Sequence, residues 1–510
     1  MTDHGVALSR IHQLFDARCA QAPDRVFMYT PDGPWTLAGL AQRVDALQAE
    51  LYGLGVGEGD RVLIVAENCP EHVALILACS RVGAWSCGVN ARMSQAELAG
   101  FAAKADARVS YFTAAASEAA DAHAQRAHAL SSAVAGLRHS APRSDAVAEE
   151  GELATRVAAM IFTSGTTGES KGVMVSHAGL LHFARVSTDS RALGAADRSY
   201  ACIPMTHIFG LATVLMASLY AGASLIMRSR FEPADAFDAL AHHALSQLQG
   251  PPAMFTRLLD WLDTQGVTRP QAPHLRYLYA GAAPLDLPLK QAVERRFGQV
   301  LHHGYGLSEY AGALCVPRLG EARQDTAAGH VVDGGELRIV DMQGRDLPPG
   351  EVGEIWMRGI GLMPGYFRDG DATAAVMREG GWYASGDLGR IDEGGALHLV
   401  GRLREMIIHS GFNVYPGEIE RVLNAFAGVH RSAVVGQREA DGNESVVAFI
   451  EVPPGRAAPD LLALQAHLAQ HLAAYKRPAR IVCVPAFPMT LSGKILKRQL
   501  LGSATAAHQG

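Results

Sequence analysis

At 510 residues the chain is too long for one ordinary core, roughly three domains or subdomains by length, and its 48% hydrophobic and 19% charged content excludes a mainly disordered protein. Forty-five basic residues stand against 51 acidic ones, and the resulting net charge of −6 gives no support to nucleic-acid binding. The seven cysteines, Cys19, Cys69, Cys79, Cys87, Cys202, Cys315 and Cys483, are scattered without a C-x-x-C pair, which argues against a disulfide framework or a thiolate zinc site.

The opening residues, MTDHGVALSR, lack the basic and apolar regions of a signal peptide, so a reducing cytoplasm is expected. Strand-like runs then alternate with helical patterns: RVLIVA before PEHVALILACSRVG, and RVAAMIF before GVMVS and HAGLLHFARVST. Continued over about four hundred residues, this alternation predicts α/β layers with parallel sheets. The stretch from Ala114 to Ala154, rich in alanine, serine and charge, reads as helices and a variable connection.

Between two apolar runs lies IFTSGTTGESKGVMVSH, Ile161 to His177. Glycines allow backbone N–H groups to approach an anion closely, so the loop reads either as a phosphate cradle or as a surface turn. It is not a Walker loop, because Ser170 and Gly172 flank Lys171 where that pattern needs glycine and a hydroxyl residue.

The segment Ile208 to Met227 runs 20 residues without a charge, which meets the length for a membrane span. Gly222 divides it, however, and the expectation is a buried helix leading into a buried strand, with no transmembrane segment. A further helix is predicted over LDLPLKQAVERRFG, with Asp286 as cap, Pro288 in the first turn and Gly298 as terminator. Near Arg402 to Arg404 the character changes to a smaller set of strands and helices. We therefore expect an α/β fold: a large N-terminal domain of layered sheets and helices, 1–402, and a small mobile C-terminal α/β domain, 403–510.

Further motifs follow the glycine loop in order: PMTHIFGL (204–211), YAGAAPL (279–285), GYGLSE (304–309), GEIWMRG (353–359), WYASGDLGRID (382–392), GRLREMIIHSGFNVYPGEIE (401–420) and PMTLSGKILK (488–497). With FTSGTTGESKGVMVSH, this series closely resembles the adenylate-forming superfamily: acyl-CoA synthetases, peptide-synthetase adenylation domains and firefly-type luciferases. The resemblance covers essentially the whole chain.

It implies that a carboxylate is joined to the α-phosphate of ATP with loss of pyrophosphate. Thr163, Ser164, Gly165, Thr166, Thr167, Gly168 and Lys171 would hold the outgoing phosphates, with Glu309 coordinating Mg²⁺ that bridges them. Gly281, Ala282 and Ala283, with Gly304, Tyr305, Gly306 and Ser308, would form the adenine shelf and its surroundings. Asp387 would accept the ribose hydroxyls and Arg402 would lie near ribose and phosphate. Seen alone, Asp387 is an ordinary turn residue and Lys494 a solvated lysine. In the superfamily the lysine at Lys494 reaches the α-phosphate and the attacking carboxylate, and the position of Arg404 is the hinge about which the small domain turns. Gly411 would line the pantetheine tunnel, and His207 would gate the acyl pocket or simply pack in the core.

The pocket sequence THIFGLAT offers no carboxylate for an α-ammonium group, which disfavours amino acids. Gly304 stands where similar malonate enzymes carry an arginine, so a neutral fatty or aryl acid is expected. The candidate walls run from Phe209 and Leu211 through Gln249 to Pro252, then Tyr310 to Leu314. Only 16 residues follow Lys494, and no carrier domain is visible, so coenzyme A is the expected acceptor. A stand-alone enzyme loading a separate carrier protein is the alternative, with a luciferase-like oxygenase more remote. The sequence leaves a homodimer open.

Overall fold

The computed structural model describes residues 8–164, 170–409, 412–439, 443–489, 495–497 and 499–500. Two seven-stranded sheets dominate the larger part. One runs, edge to edge, through strands Leu301–His303, Tyr277–Ala280, Gln247–Gly250, Arg198–Ala201, Ser224–Met227, Val26–Thr30 and Gly33–Thr36. All its neighbours are parallel except the closing hairpin. The other has a parallel centre, Val109–Phe112, Arg61–Ala66, Trp85–Asn90 and Val157–Ser164, with antiparallel strands at both margins.

Helices fill the space between the sheets, because both sheet faces are apolar and must be covered. Pro70–Val82 starts on a proline and ends at Gly83, whose φ of 81° provides the left-handed cap; His177–Asp189 is capped by the Ser176 hydroxyl. A single core joins Ile64 and Leu77 to Leu180, Val214 and Leu225, so the two sheets and their helices fold as one layered body.

The uncharged segment at Ile208–Met227 is a π-helix, Phe209–Met216, followed by a short α-helix, Ala217–Ala221, and the strand Ser224–Met227. All eight π-helical residues are buried. Gly210 is required there: a Cβ would lie 2.3 Å from the Pro204 carbonyl oxygen. Among the described residues, no helix is long and apolar enough to cross a membrane.

The parallel pattern stops earlier than expected from the sequence. After residue 303 the strands Gly335–Val340, Gly353–Gly359, Trp382–Ile391 and Leu397–Arg402 form an antiparallel sheet, each strand paired with the one before it, and the helix Gly370–Val376 lies in the connection before Trp382. Beyond Arg402 comes a 3₁₀ turn, Leu403–Glu405, and then a smaller unit. Its strands Ser432–Arg438, Glu444–Glu451 and Arg480–Val484 pack on helices Pro416–Asn424 and Leu461–His471 around Val434, Ala448, Leu464 and Leu468. This second core makes the smaller unit a domain in its own right.

Asp286 departs from its expected role. It occupies the N-cap position of helix Leu287–Phe297, yet its carboxylate caps no backbone N–H. Instead Oδ2 accepts a 2.9 Å hydrogen bond from Asn424 Nδ2 of the small domain.

Candidate active site

The strands on either side of the glycine loop pair antiparallel, with Thr163 opposite Lys171 and Ser164 opposite Ser170. Gly165, Thr166, Thr167 and Gly168 lie outside the described residues, as do Gly411 and Lys494. Segment Gly365–Phe367 runs beside the hairpin: Met174 N–H donates to Gly365 and Phe367 N–H to Gly172. That contact places the Tyr366 ring under Lys171, whose Nζ lies 4.5 Å from the ring centroid.

Tyr366 in turn donates its hydroxyl proton to Glu309 Oε1 at 3.0 Å, and its oxygen is 3.3 Å from that of Tyr383. Glu309 sits in a 3₁₀ turn, Ser308–Tyr310, closed by Ala311 at φ 52°, a costly conformation for alanine. No ion pair within 4 Å neutralises Glu309 among the described residues, and loss of water pushes its pKa up. Such a desolvated, unpaired carboxylate beside a lysine suits a hard divalent cation.

Asp387 is 8% exposed and held at both oxygens. Oδ2 accepts from the Tyr305 hydroxyl at 2.8 Å, and Arg402 Nε lies 3.2 Å from Oδ1. Antiparallel pairing places Arg402 directly opposite Asp387. Burial, reinforced by the Asp387 charge, drives the Tyr305 phenol well above its ordinary pKa, so it stays a neutral donor.

Gly281, Ala282 and Ala283 follow the end of strand Tyr277–Ala280, beside strand Leu301–His303. Ala282 adopts φ 65°, and the Ala283 carbonyl lies 3.3 Å from His303 Nε2. Gly304 admits no side chain: a Cβ would stand 2.0 Å from the Tyr279 hydroxyl oxygen. Gly306 serves the sheet, since its Cβ would meet the Gly312 carbonyl at 2.1 Å, and Ser308 is buried. His207 Nδ1 accepts from the Phe209 N–H at 3.2 Å, which assigns the ring proton to Nε2 when His207 is neutral. The Phe209 ring packs edge-on against Tyr279, with centroids 5.9 Å apart.

Arg404 lies within the 3₁₀ turn between the domains. Its neighbour Glu405 accepts a 3.1 Å bond from Lys497 Nζ, which is also 2.7 Å from Glu420 on helix Pro416–Asn424. Tyr366, Tyr279 and Lys497 were not singled out from the sequence. Tyr366 belongs to no run of chemical residues, whereas Lys497 stood inside PMTLSGKILK, where a second lysine was a usable signal.

One further cluster, Asp325, Asp392 and His398, has ligand atoms close enough to hold a cation. Arg323 already occupies it, at 2.7 Å from Asp325 and 2.8 Å from Asp392, so it is an ion-pair network.

The profile of the AMP-binding enzyme family matches residues 15–367, and that of the AMP-binding enzyme C-terminal domain matches 418–494. The chain is 32% identical to the 3-[(3aS,4S,7aS)-7a-methyl-1,5-dioxo-octahydro-1H-inden-4-yl]propanoyl:CoA ligase of Mycobacterium tuberculosis, over 97% of this chain and 98% of the relative. It is 32% identical to a feruloyl-CoA synthase from an Amycolatopsis species, over 91% and 93%. The ATP-bound crystal structure of MatB from Rhodopseudomonas palustris superimposes with a TM-score of 0.84 at 28% identity, covering 97% of this chain and 99% of MatB.

Proposed function

Since the chain belongs to the AMP-binding enzyme family and is an AMP-forming adenylating enzyme, we propose that it converts a monocarboxylic fatty or aryl acid, ATP and coenzyme A into acyl-CoA, AMP and pyrophosphate. The observation that carries this reading is a pair of linked groups: Asp387 held by Tyr305 and Arg402, and Glu309 bonded to Tyr366, over whose ring Lys171 lies.

In the first step a carboxylate oxygen bonds to the α-phosphorus of ATP while the bond to the β-phosphate breaks and pyrophosphate leaves. Asp387 accepts the ribose hydroxyls, and its hold by Tyr305 and Arg402 fixes the sugar before reaction. Lys171 and Thr163 to Gly168 take the charge of the leaving phosphates. Lys494 supplies positive charge between the two approaching anions, whose mutual repulsion is a main part of the barrier. Glu309 would hold Mg²⁺, which supplies charge neutralisation on the phosphates.

In the second step the CoA sulfur attacks the acyl carbonyl, its proton is lost, and AMP leaves. Arg404 serves as the pivot that exchanges the face of the small domain turned to the site, and Gly411 lines the thiol's approach. The CoA-ligase and synthase names of the relatives support coenzyme A as acceptor. Their acids differ, so the acid is argued from the pocket: Gly304, Phe209 and Tyr279 present no charge to the acyl tail.

A panel of carboxylic acids with ATP, assayed for pyrophosphate, AMP and thioester with and without CoA, tests the proposal. Acid-dependent pyrophosphate and AMP with a CoA thioester are expected. Adenylate formation with no thioester for any acid favours loading of a carrier protein, and hydrolysis to ADP contradicts both readings.

A further inference from the structure

Buried tyrosine hydroxyls normally find a partner. Here Tyr111, Tyr200, Tyr305 and Tyr366 each donate to a carboxylate. Tyr310 is 1% exposed and its hydroxyl has no partner among the described residues, and Tyr279 also departs from the pattern. Only 8% exposed, it makes no hydrogen bond through its hydroxyl among the described residues. The oxygen lies against Gly304, close enough that any side chain there would collide with it. One edge of the ring faces Gly281, where a Cβ would stand 3.1 Å from Cε1, and Phe209 closes the same corner. The free hydroxyl therefore stands beside Gly304 and near Phe209, taken above to face the acyl tail, with Gly281 of the proposed adenine shelf at the ring edge.

Behind the ring is a small cavity with Arg191, Ser187, Thr213 and Tyr277 in its wall. Arg191 is 3% exposed and has no carboxylate within 4 Å among the described residues. Its guanidinium donates instead to the Ser187 carbonyl at 2.9 Å, the Thr213 carbonyl at 2.7 Å and Gln249 Oε1 at 2.5 Å. A buried cation on this side of the phenol favours polarisation of the O–H bond toward donation and opposes a cationic group on a ligand. The exposed side of Tyr279 thus offers one directed donor in an otherwise apolar corner, the usual construction of a specificity pocket.

We propose that the Tyr279 hydroxyl is the specificity-determining donor of the acyl pocket, and that the acid activated here carries a neutral accepting oxygen, an oxo or hydroxyl group, on its acyl part. The inference rests on the acyl-activating function proposed above. An unsubstituted acid leaves this hydroxyl dry and unpaired, and that cost is the source of the discrimination.

The test compares matched acids, cyclic and open-chain propanoates with and without an oxo group, in pyrophosphate release and thioester formation. The oxo acid is expected to have the higher kcat/KM. Tyr279→Phe, which removes only the oxygen, should lower the ratio of kcat/KM for oxo over plain acid about tenfold, mainly through KM of the acid. Gly304→Ala, which displaces the hydroxyl, should lower the same ratio. Wild-type preference for the plain acid, or an unchanged ratio in Tyr279→Phe, overturns the proposal while leaving acyl activation intact. Absence of acid-dependent pyrophosphate from every acid would instead remove the function on which it rests.

Discussion

Asn424 of the small domain donates a 2.9 Å hydrogen bond to Asp286 of the large domain, a contact that the proposed turn about Arg404 would have to break. Burial, followed by the nearby Glu420 charge, pushes the Asp286 carboxyl up to about 6. A carboxyl raised above its ordinary value favours the docked state at low pH, and that contribution is lost as pH rises through about 6. The shift corresponds to roughly 2–3 kcal/mol across the window from about 4 to 6. Asp286→Asn should flatten this dependence and favour the docked arrangement at neutral pH. Domain separation followed by distance-sensitive fluorescence between pH 4 and 8 measures it; an unchanged pH profile in the variant would refute the assignment.

Asp387→Asn should raise KM for ATP by ~10–100-fold, since it weakens contacts made by a charged hydrogen-bonding group. The fold should survive, because the Asp387–Arg402 strand pairing is made by backbone atoms. Initial rates at varied ATP, with a thermal melt, separate the two effects.

Glu309→Gln should separate stability from activity. Desolvation raises the pKa of this carboxyl, so the charged form costs stability above that value and the neutral amide relieves it. Melting temperature should hold or rise at pH 8, with the gap to wild type narrowing as pH falls. Adenylation should drop at least ~100-fold, and a variant with full activity would remove Glu309 from the proposed metal role.

Lys494→Ala should abolish acyl-adenylate formation, by ~10²-fold or more, while a pre-made acyl-adenylate still passes to CoA. Equal loss in both half-reactions would count against a lysine dedicated to the first.

The layered α/β body was legible because long apolar strands and capped helices obey periodicities of 2 and 3.6. The π-helix at Phe209–Met216 was not, since a uniformly apolar run has no polar face to report its pitch. Asp286 misled for another reason. Its local sequence is that of an N-cap, but its partner Asn424 lies 138 residues away and only the fold brings it close. The same holds for Tyr366, whose contact with Glu309 spans 57 residues. Asp387 and Arg402 were identified through motif order, and their mutual contact follows from a register that no single-strand pattern contains.

Lys497 gives the small domain a mechanical property. By bridging Glu405, next to the proposed pivot, to Glu420 on the domain's first helix, it ties the 3₁₀ turn Leu403–Glu405 to that helix. A change of backbone angle at Arg404 would then pass through Glu405 and Lys497 to that helix. It would be carried across as torque, so that the turn and the helix keep step like the two ends of a crank.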